Sequence, residues 1–270
     1  KRSKFMHYRP WIFVINNIEF DHADIFDDTE SIIRSFHHVV RIIPNNGTII
    51  YNQDDKNIKK LLKKGIWSKK ISFSINKKSN ADWILSEKQN YFLSCGSKKY
   101  EIKSPLIGLH NYKNISLALI AAKICGIPLN QSLRAIEKFK GVKRRMEFVG
   151  KMNEMKIYDD FAHHPTAIRL SCAAIKEKYF NKKILGLIEL GSNTMSAGYH
   201  NDLLDSFKLL DQVFLLDRKQ AYKYENSFNS TESLLSKLKE TIFDYDIILI
   251  MTNKDSQKFI QPIKSYVENK

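Results

Sequence analysis

Asp159, Asp160, His163 and His164 fall within six residues of one another in the segment Tyr158-Asp159-Asp160-Phe161-Ala162-His163-His164-Pro165-Thr166. Two carboxylates and two imidazoles so placed can hold a ribose diol, orient a carboxylate or shuttle a proton near neutral pH. Pro165 suits the first turn of a helix, where its fixed φ fits and its missing N–H costs nothing, and this leaves His164 near the cap. A polar turn with one capping aspartate is the plainer alternative. Glu189-Leu190-Gly191-Ser192-Asn193-Thr194 reads as a second loop of this kind, with Gly191 permitting a left-handed turn, and Asp217-Arg218 and Thr252-Asn253 read as weaker ones. Nearer the start, Glu19, Asp21, His22 and Asp24 mix hard oxygen donors with one imidazole, as a Mg²⁺ or Mn²⁺ site or a solvated loop would. Asn111 and Asn114 lie three apart at a helix start, hence on one face, where amides read a purine edge or cap the helix. Arg144-Arg145 can fork onto phosphates or stand as a solvated pair. His7, His37, His38, His110 and His200 are isolated and read as satisfied or surface histidines.

These groups need elements to aim them. Residues 11–16 form an apolar run of strand length that ends directly in the polar cluster at 17–24. Ile32, Ile33, Phe36, Val39, Val40 and Ile43 then recur at helical spacing behind Asp28 or Thr29 as cap, and Pro44-Asn45-Asn46-Gly47 turns the chain into a strand at 48–51. A short lysine-rich helix surrounds Ile58 to Leu62. Four short alternating segments between 71 and 102 read as an antiparallel patch covering a sheet edge. A long helix from His110 stops at Gly126, a second begins with Asn130 as cap, and residues 141–145 have no core pattern and mark a boundary between domains 1–142 and 143–270. Beyond it, strands (156–158, 184–190, 213–216, 247–251) alternate with helices, which implies a mostly parallel sheet wrapped by helices. In such a sheet ligands sit beyond the carboxyl ends of the strands, where Asp159-Asp160, Glu189, Asp217 and Thr252 lie.

Composition narrows the function class. With 270 residues, 43% hydrophobic, and only 10 Gly and 6 Pro, the chain is a folded protein of two cores rather than a disordered polymer. The net charge of +15 comes from 35 Lys but only 9 Arg, dispersed along the chain, so no nucleic-acid partner is expected. Cys95, Cys125 and Cys172 have neither disulfide-framework nor zinc spacing. No run reaches the roughly 18 apolar residues of a membrane span, so no membrane partner is expected and a cytoplasmic address is.

Taken together, the segments 16–24 (Asn-Asn-Ile-Glu-Phe-Asp-His-Ala-Asp), 108–114 (Gly-Leu-His-Asn-Tyr-Lys-Asn), 141–147 (Gly-Val-Lys-Arg-Arg-Met-Glu) and 158–166 resemble the Mur ligases of peptidoglycan metabolism in order and spacing. The resemblance implies an α/β fold: a truncated central ATPase domain with a mixed sheet, followed by a Rossmann-like peptide-binding domain with a mostly parallel one. It implies ATP and Mg²⁺ as cofactors, with His22 at the metal, Asn111 and Asn114 at the adenine, Arg144 or Arg145 at the phosphates or ribose, Asp160 at the ribose, and His164 lining the cleft. Within the family, residues 20–26 and Ser192-Asn193-Thr194-Met195 look most like the ligases that recycle L-Ala-γ-D-Glu-meso-diaminopimelate onto UDP-N-acetylmuramate, the 192–194 loop facing the peptide. There the γ-phosphate passes to the lactyl carboxylate, and the peptide amine displaces phosphate from the acyl phosphate so formed. A UDP-N-acetylmuramate:L-alanine ligase and a non-catalytic nucleotide- or peptide-binding module are the alternatives. The sequence contains no G-x-x-x-x-G-K-[ST] phosphate loop, so the chain is expected to begin inside the second of three domains, to be inert alone, and to need a complementing N-terminal fragment. Gly191 stands where the family has Arg, and Thr252 to Ser256 replace a glycine-rich loop.

Overall fold

The structure is a computed structural model that describes residues 4–20, 25–189 and 200–268. Its contacts divide the chain into one unit of residues 1–105 and 109–139 and another of 106–108 and 140–270.

The first unit is built on one six-stranded sheet of order β1-β2-β3-β4-β5-β6. β1 (Ile12–Ile15) and β2 (Thr48–Asn52) are parallel and joined by α1 (Thr29–Ile42). Asp28 starts that helix with a reciprocal capping box to Ser31, which satisfies two donors that a helix end leaves unpaired. α2 (Lys56–Lys63), capped by Asp55, returns the chain to β3 (Lys69–Ser74), which also runs parallel to β2. Ile15, Ile33, Val40, Ile49, Ile58 and Leu61 form the core between this sheet and the two helices. β4 (Trp83–Glu87) pairs parallel with β3, and β5 (Tyr91–Cys95) runs antiparallel between β4 and β6 (Lys98–Ile102). The expected antiparallel patch therefore holds for β4, β5 and β6 and is corrected for β3, which pairs parallel with both its neighbours. The helix between β2 and β3 makes them a crossover unit, which places the second strand parallel to the first. α3 (Leu109–Ile124) and α4 (Leu129–Glu137) complete the unit. Pro128, not Asn130, is the cap residue of α4, so Asn130 lies inside the first turn.

Gly47 forms the tight entry to β2. A Cβ there would lie 2.8 Å from the Trp11 carbonyl oxygen and 3.0 Å from that of Pro44, backbone atoms that cannot swing aside. Gly47→Ala is expected to cost about 1–3 kcal/mol, read as a lower urea midpoint at unchanged m-value.

The second unit has a six-stranded sheet of order β11-β10-β9-β12-β8-β7. β8 (Met155–Asp160), β9 (Ile184–Glu189), β10 (Gln212–Leu216) and β12 (Ile247–Thr252) are mutually parallel. β9 and β12 lie at the middle with every residue buried, as continuous apolar runs in a parallel sheet require. Alternate residues serve opposite faces. Leu249 and Met251 pack with α5 (Pro165–Lys178) and α6 (His200–Ser206), while Ile248 and Ile250 pack with α7 (Thr231–Thr241) and α8 (Gln257–Glu268). Two edge strands escaped the sequence reading: β7 (Glu147–Met152), antiparallel to β8 with a bulge between Phe148 and Gly150, and the two-residue β11 (Ser227–Phe228). A bulge breaks the period-two pattern by which a strand is recognised, and two residues carry no pattern at all.

Candidate active site

In the second unit the carboxyl ends of β8, β9, β10 and β12 bring five acidic or hydroxyl side chains to one edge: Asp159, Asp160, Glu189, Asp217 and Thr252. All are buried, and they divide by what they bind. Asp160 accepts from the backbone N–H of Met146 (2.8 Å) and of Ala162 (2.7 Å), and Asp217 accepts from the backbone N–H of Tyr222 (2.8 Å). Asp159 and Glu189 instead face cations.

Asp159 Oδ2 accepts from the Ser256 hydroxyl at 2.6 Å and lies 3.3 Å from Arg144 Nε, while Arg144 Nη2 donates to the Thr252 carbonyl. Burial is the largest influence on the Asp159 carboxyl and raises its pKa against the opposing pull of Ser256 and Arg144. Burial likewise raises that of Asp160 above the usual carboxylate range, despite the two backbone donors. Glu189, only 1% exposed, goes the other way. Burial pushes its pKa up, but the Lys258 ammonium and the Thr252 hydroxyl hydrogen-bond its Oε2, Lys254 adds its charge at 3.6 Å, and the net result lies below the ordinary glutamate value. Arg218 stands 3.8 Å from its other oxygen.

Residues 144–147 are held under strain against this edge. Arg144 and Met146 have φ of +57° and +50°, a left-handed conformation that only glycine adopts without cost. Three bonds hold it: Arg144 N–H to Glu147 Oε2 (2.7 Å), Phe161 N–H to the Arg144 carbonyl (2.8 Å), and Met146 N–H to Asp160. Arg144 and Arg145 then both lie over the Phe161 ring, 5.1 and 5.4 Å from its centroid, with Arg145 exposed. His164 precedes Pro165 as the cap residue of α5, and His163 Nδ1 lies 2.9 Å from the Phe161 carbonyl.

Asp160 lies buried beneath this segment. At 4% exposure, with its oxygens on two backbone donors, it holds residues 146 and 162 in place. Arg145 is the charged group of this segment that remains open to a ligand.

In the first unit, Asn16 follows β1 and its Nδ2 donates to Asn114 Oδ1 on α3 at 2.7 Å. Asn111 shares that face one turn earlier. The segment after β1 is anchored by α2: Ile18 N–H donates to Asp55 (3.3 Å), and Asn57 Nδ2 donates to the Ile18 carbonyl (2.8 Å). His22, Ser192, Asn193 and Thr194 lie outside the described residues. Among the described residues no three His, Cys, Asp or Glu side chains converge on a metal-sized point, and no helix is long and apolar enough to cross a membrane.

Sequence reasoning missed Ser256, Lys258 and Asn16. The signal for Lys258 was Glu189 itself, a carboxylate ending a buried apolar strand and so in need of a cation, whereas Ser256 serves Asp159. Lys258 is 69 positions away, beyond the reach of any spacing argument.

Two family descriptions match: the Mur ligase middle domain over residues 1–122, and the Mur ligase glutamate ligase domain over residues 144–253. The chain belongs to the Mur ligase family. Among curated Mur ligases it is 34% identical over 271 residues to the UDP-N-acetylmuramate–L-alanyl-γ-D-glutamyl-meso-2,6-diaminoheptandioate ligase of Haemophilus influenzae, covering 94% of this chain and 59% of that one. It is 33% identical over 253 residues to the UDP-N-acetylmuramate–L-alanine ligase of Caldicellulosiruptor bescii, covering 91% and 55%. A crystal structure of a murein peptide ligase from Psychrobacter arcticus matches with a TM-score of 0.72 at 29% identity, over 100% of this chain and 60% of that one. The chain thus spans less than two thirds of the length of each of these Mur ligases.

Proposed function

We propose that this chain carries the adenine-binding and peptide-binding parts of an ATP-dependent ligase that joins L-Ala-γ-D-Glu-meso-diaminopimelate to UDP-N-acetylmuramate in the cytoplasm, and that it does not turn over alone. The observation that supports this best is the strained 144–147 segment, fixed by Asp160 and Arg144 over the strand ends of the domain matched as a Mur ligase glutamate ligase domain. Strain held by so many bonds is characteristic of functional loops. In this reading Asn111 and Asn114 meet the adenine and Arg145 a phosphate, with Arg144 and Asp160 positioning Arg145. His164 lines the site, His22 serves Mg²⁺, and Ser192, Asn193 and Thr194 face the peptide. The magnesium would neutralise the phosphates of ATP.

The recycling ligase is preferred over the alanine ligase because of Ser192-Asn193-Thr194-Met195 and the phrase at 20–26. The absence of a G-x-x-x-x-G-K-[ST] segment from the sequence supports the lack of turnover. Calorimetric titration with ADP tests the nucleotide part. Saturable binding is expected, and Arg145→Ala should weaken it by about ten- to a hundredfold, the worth of one charge-assisted hydrogen bond. Saturable binding of equal strength by the unaltered chain and by a chain carrying Asn111→Ala with Asn114→Ala would refute the reading.

A further inference from the structure

Ser256 stands just ahead of α8, is 2% exposed, and donates its hydroxyl to Asp159 Oδ2 at 2.6 Å. The same oxygen lies 3.3 Å from Arg144 Nε, while Asp159 Oδ1 is buried without a hydrogen-bond partner. The carboxylate is thus poorly furnished for a buried charge. Of the groups that face it, Arg144 is a cation, Glu147 opposite it on β7 is a like charge, and Ile250 opposite it on β12 does not titrate. From the start of α8, Asp255 accepts from the Gln257 N–H and Lys258 is held by Glu189. Burial and Glu147 therefore favour the neutral acid, and Arg144 and Ser256 favour the carboxylate. A hydroxyl bonds more strongly to an ionised acceptor than to a neutral one, so Ser256 contributes to which form is present.

We infer that Ser256 is a positioning residue: its hydroxyl keeps Asp159 ionised as the partner of Arg144, and through Arg144 it holds the 144–147 segment so that Arg145 meets a nucleotide phosphate. The inference rests on the nucleotide reading proposed above and adds to it a residue, 97 positions from Asp159, that acts only through others.

The Asp159 carboxyl is titrated by carbon-13 NMR in the unaltered chain, Ser256→Ala and Ser256→Thr, and ADP affinity is measured by calorimetry over the same pH range. Ser256→Ala removes a hydrogen bond to a charged group, so its Asp159 midpoint is expected to rise by about one to two pH units. Ser256→Thr keeps the hydroxyl and should restore the parent midpoint. Above both midpoints Asp159 is ionised in either chain, and Ser256→Ala should bind ADP as the unaltered chain does. Between the midpoints only the variant has lost the charge that Arg144 needs, and it should bind about three- to tenfold more weakly, less than the effect of removing Arg145 itself. The ADP phosphates, Asp160, His163 and His164 titrate in both chains and cancel in the ratio of affinities.

A packing role for Ser256 would weaken ADP binding equally at every pH. If the Asp159 midpoint does not rise in Ser256→Ala, if it rises while the ratio of affinities stays flat with pH, or if Ser256→Ala weakens binding as much in an Asp159→Asn background, the role of Ser256 is wrong while the nucleotide reading stands. Should Ser256→Ala not fold, Ser256→Cys supplies a weaker donor of similar size: a raised midpoint with weakened ADP binding between the midpoints supports the inference, and an unmoved midpoint overturns it. If the unaltered chain does not bind ADP, the nucleotide reading falls and this inference with it.

Discussion

Replacing Asp160 by alanine is expected to lower the free energy of unfolding by about 3–5 kcal/mol. Its carboxylate accepts from the N–H groups of Met146 and Ala162, and the residue is 4% exposed, so water cannot take its place. Each buried donor left without a partner costs about 1–3 kcal/mol. The Met146 bond also holds a residue at φ +50°, and its loss frees the 144–147 segment to relax toward ordinary backbone. Two consequences are therefore expected together: a large fall in the urea midpoint, and weaker ADP binding through a displaced Arg145. Asp160→Asn keeps one acceptor but turns an NH₂ toward one of the two donors, so it should lie between the alanine variant and the unaltered chain. A loss below about 1 kcal/mol in Asp160→Ala would show that the segment is held by other means.

The second large effect is expected from Arg144→Met, and it should depend on pH. Arg144 is the cation beside Asp159, which is 2% exposed, and it also donates to the Thr252 carbonyl. Removing one partner of a buried pair costs about 3–5 kcal/mol because the other charge is left stranded. Stranded carboxylates protonate instead. Burial already raises the Asp159 pKa in the folded chain, and loss of Arg144 raises it further. A raised folded pKa means a contribution to stability that is present in full below the unfolded value and is lost as pH rises through the folded one. The deficit of Arg144→Met relative to the parent should accordingly be largest near pH 8 and shrink toward pH 4. Chemical denaturation at several pH values measures it, and a deficit independent of pH would show that Asp159 is not the charge Arg144 serves. Glu189 gives the opposite signature, since its lowered pKa makes a contribution that is present above the unfolded glutamate value and lost on further acidification.

Much of this architecture could be read from local pattern. Asp28 and Ser31, Gly126, Pro165 and the apolar runs at 184–189 and 247–252 each carry their own structural instruction, and all form what their chemistry dictates. The direction of β3 was legible too, through the helix that precedes it, whereas alternation within a strand carries no information on its direction. The strand-end acids could be located but not assigned. Asp159 and Asp160 are neighbours in sequence and point to opposite faces, so one meets Arg144 and Ser256 and the other meets backbone N–H groups. Their partners lie as far as 97 positions away, and no spacing rule reaches that distance. Asn16 was hidden for the same reason, being one polar residue of a polar loop until α3 is placed beside it.

The proposal that these 270 residues bind nucleotide and peptide but release no phosphate by themselves can be tested directly. Phosphate release from ATP, in the presence of Mg²⁺, UDP-N-acetylmuramate and the tripeptide, tests it with and without an added polypeptide bearing the Walker segment of a Mur ligase. The chain alone is expected to release no phosphate above background, and the mixture to release it only when both substrates are present. Substrate-dependent release by the chain alone would contradict the account.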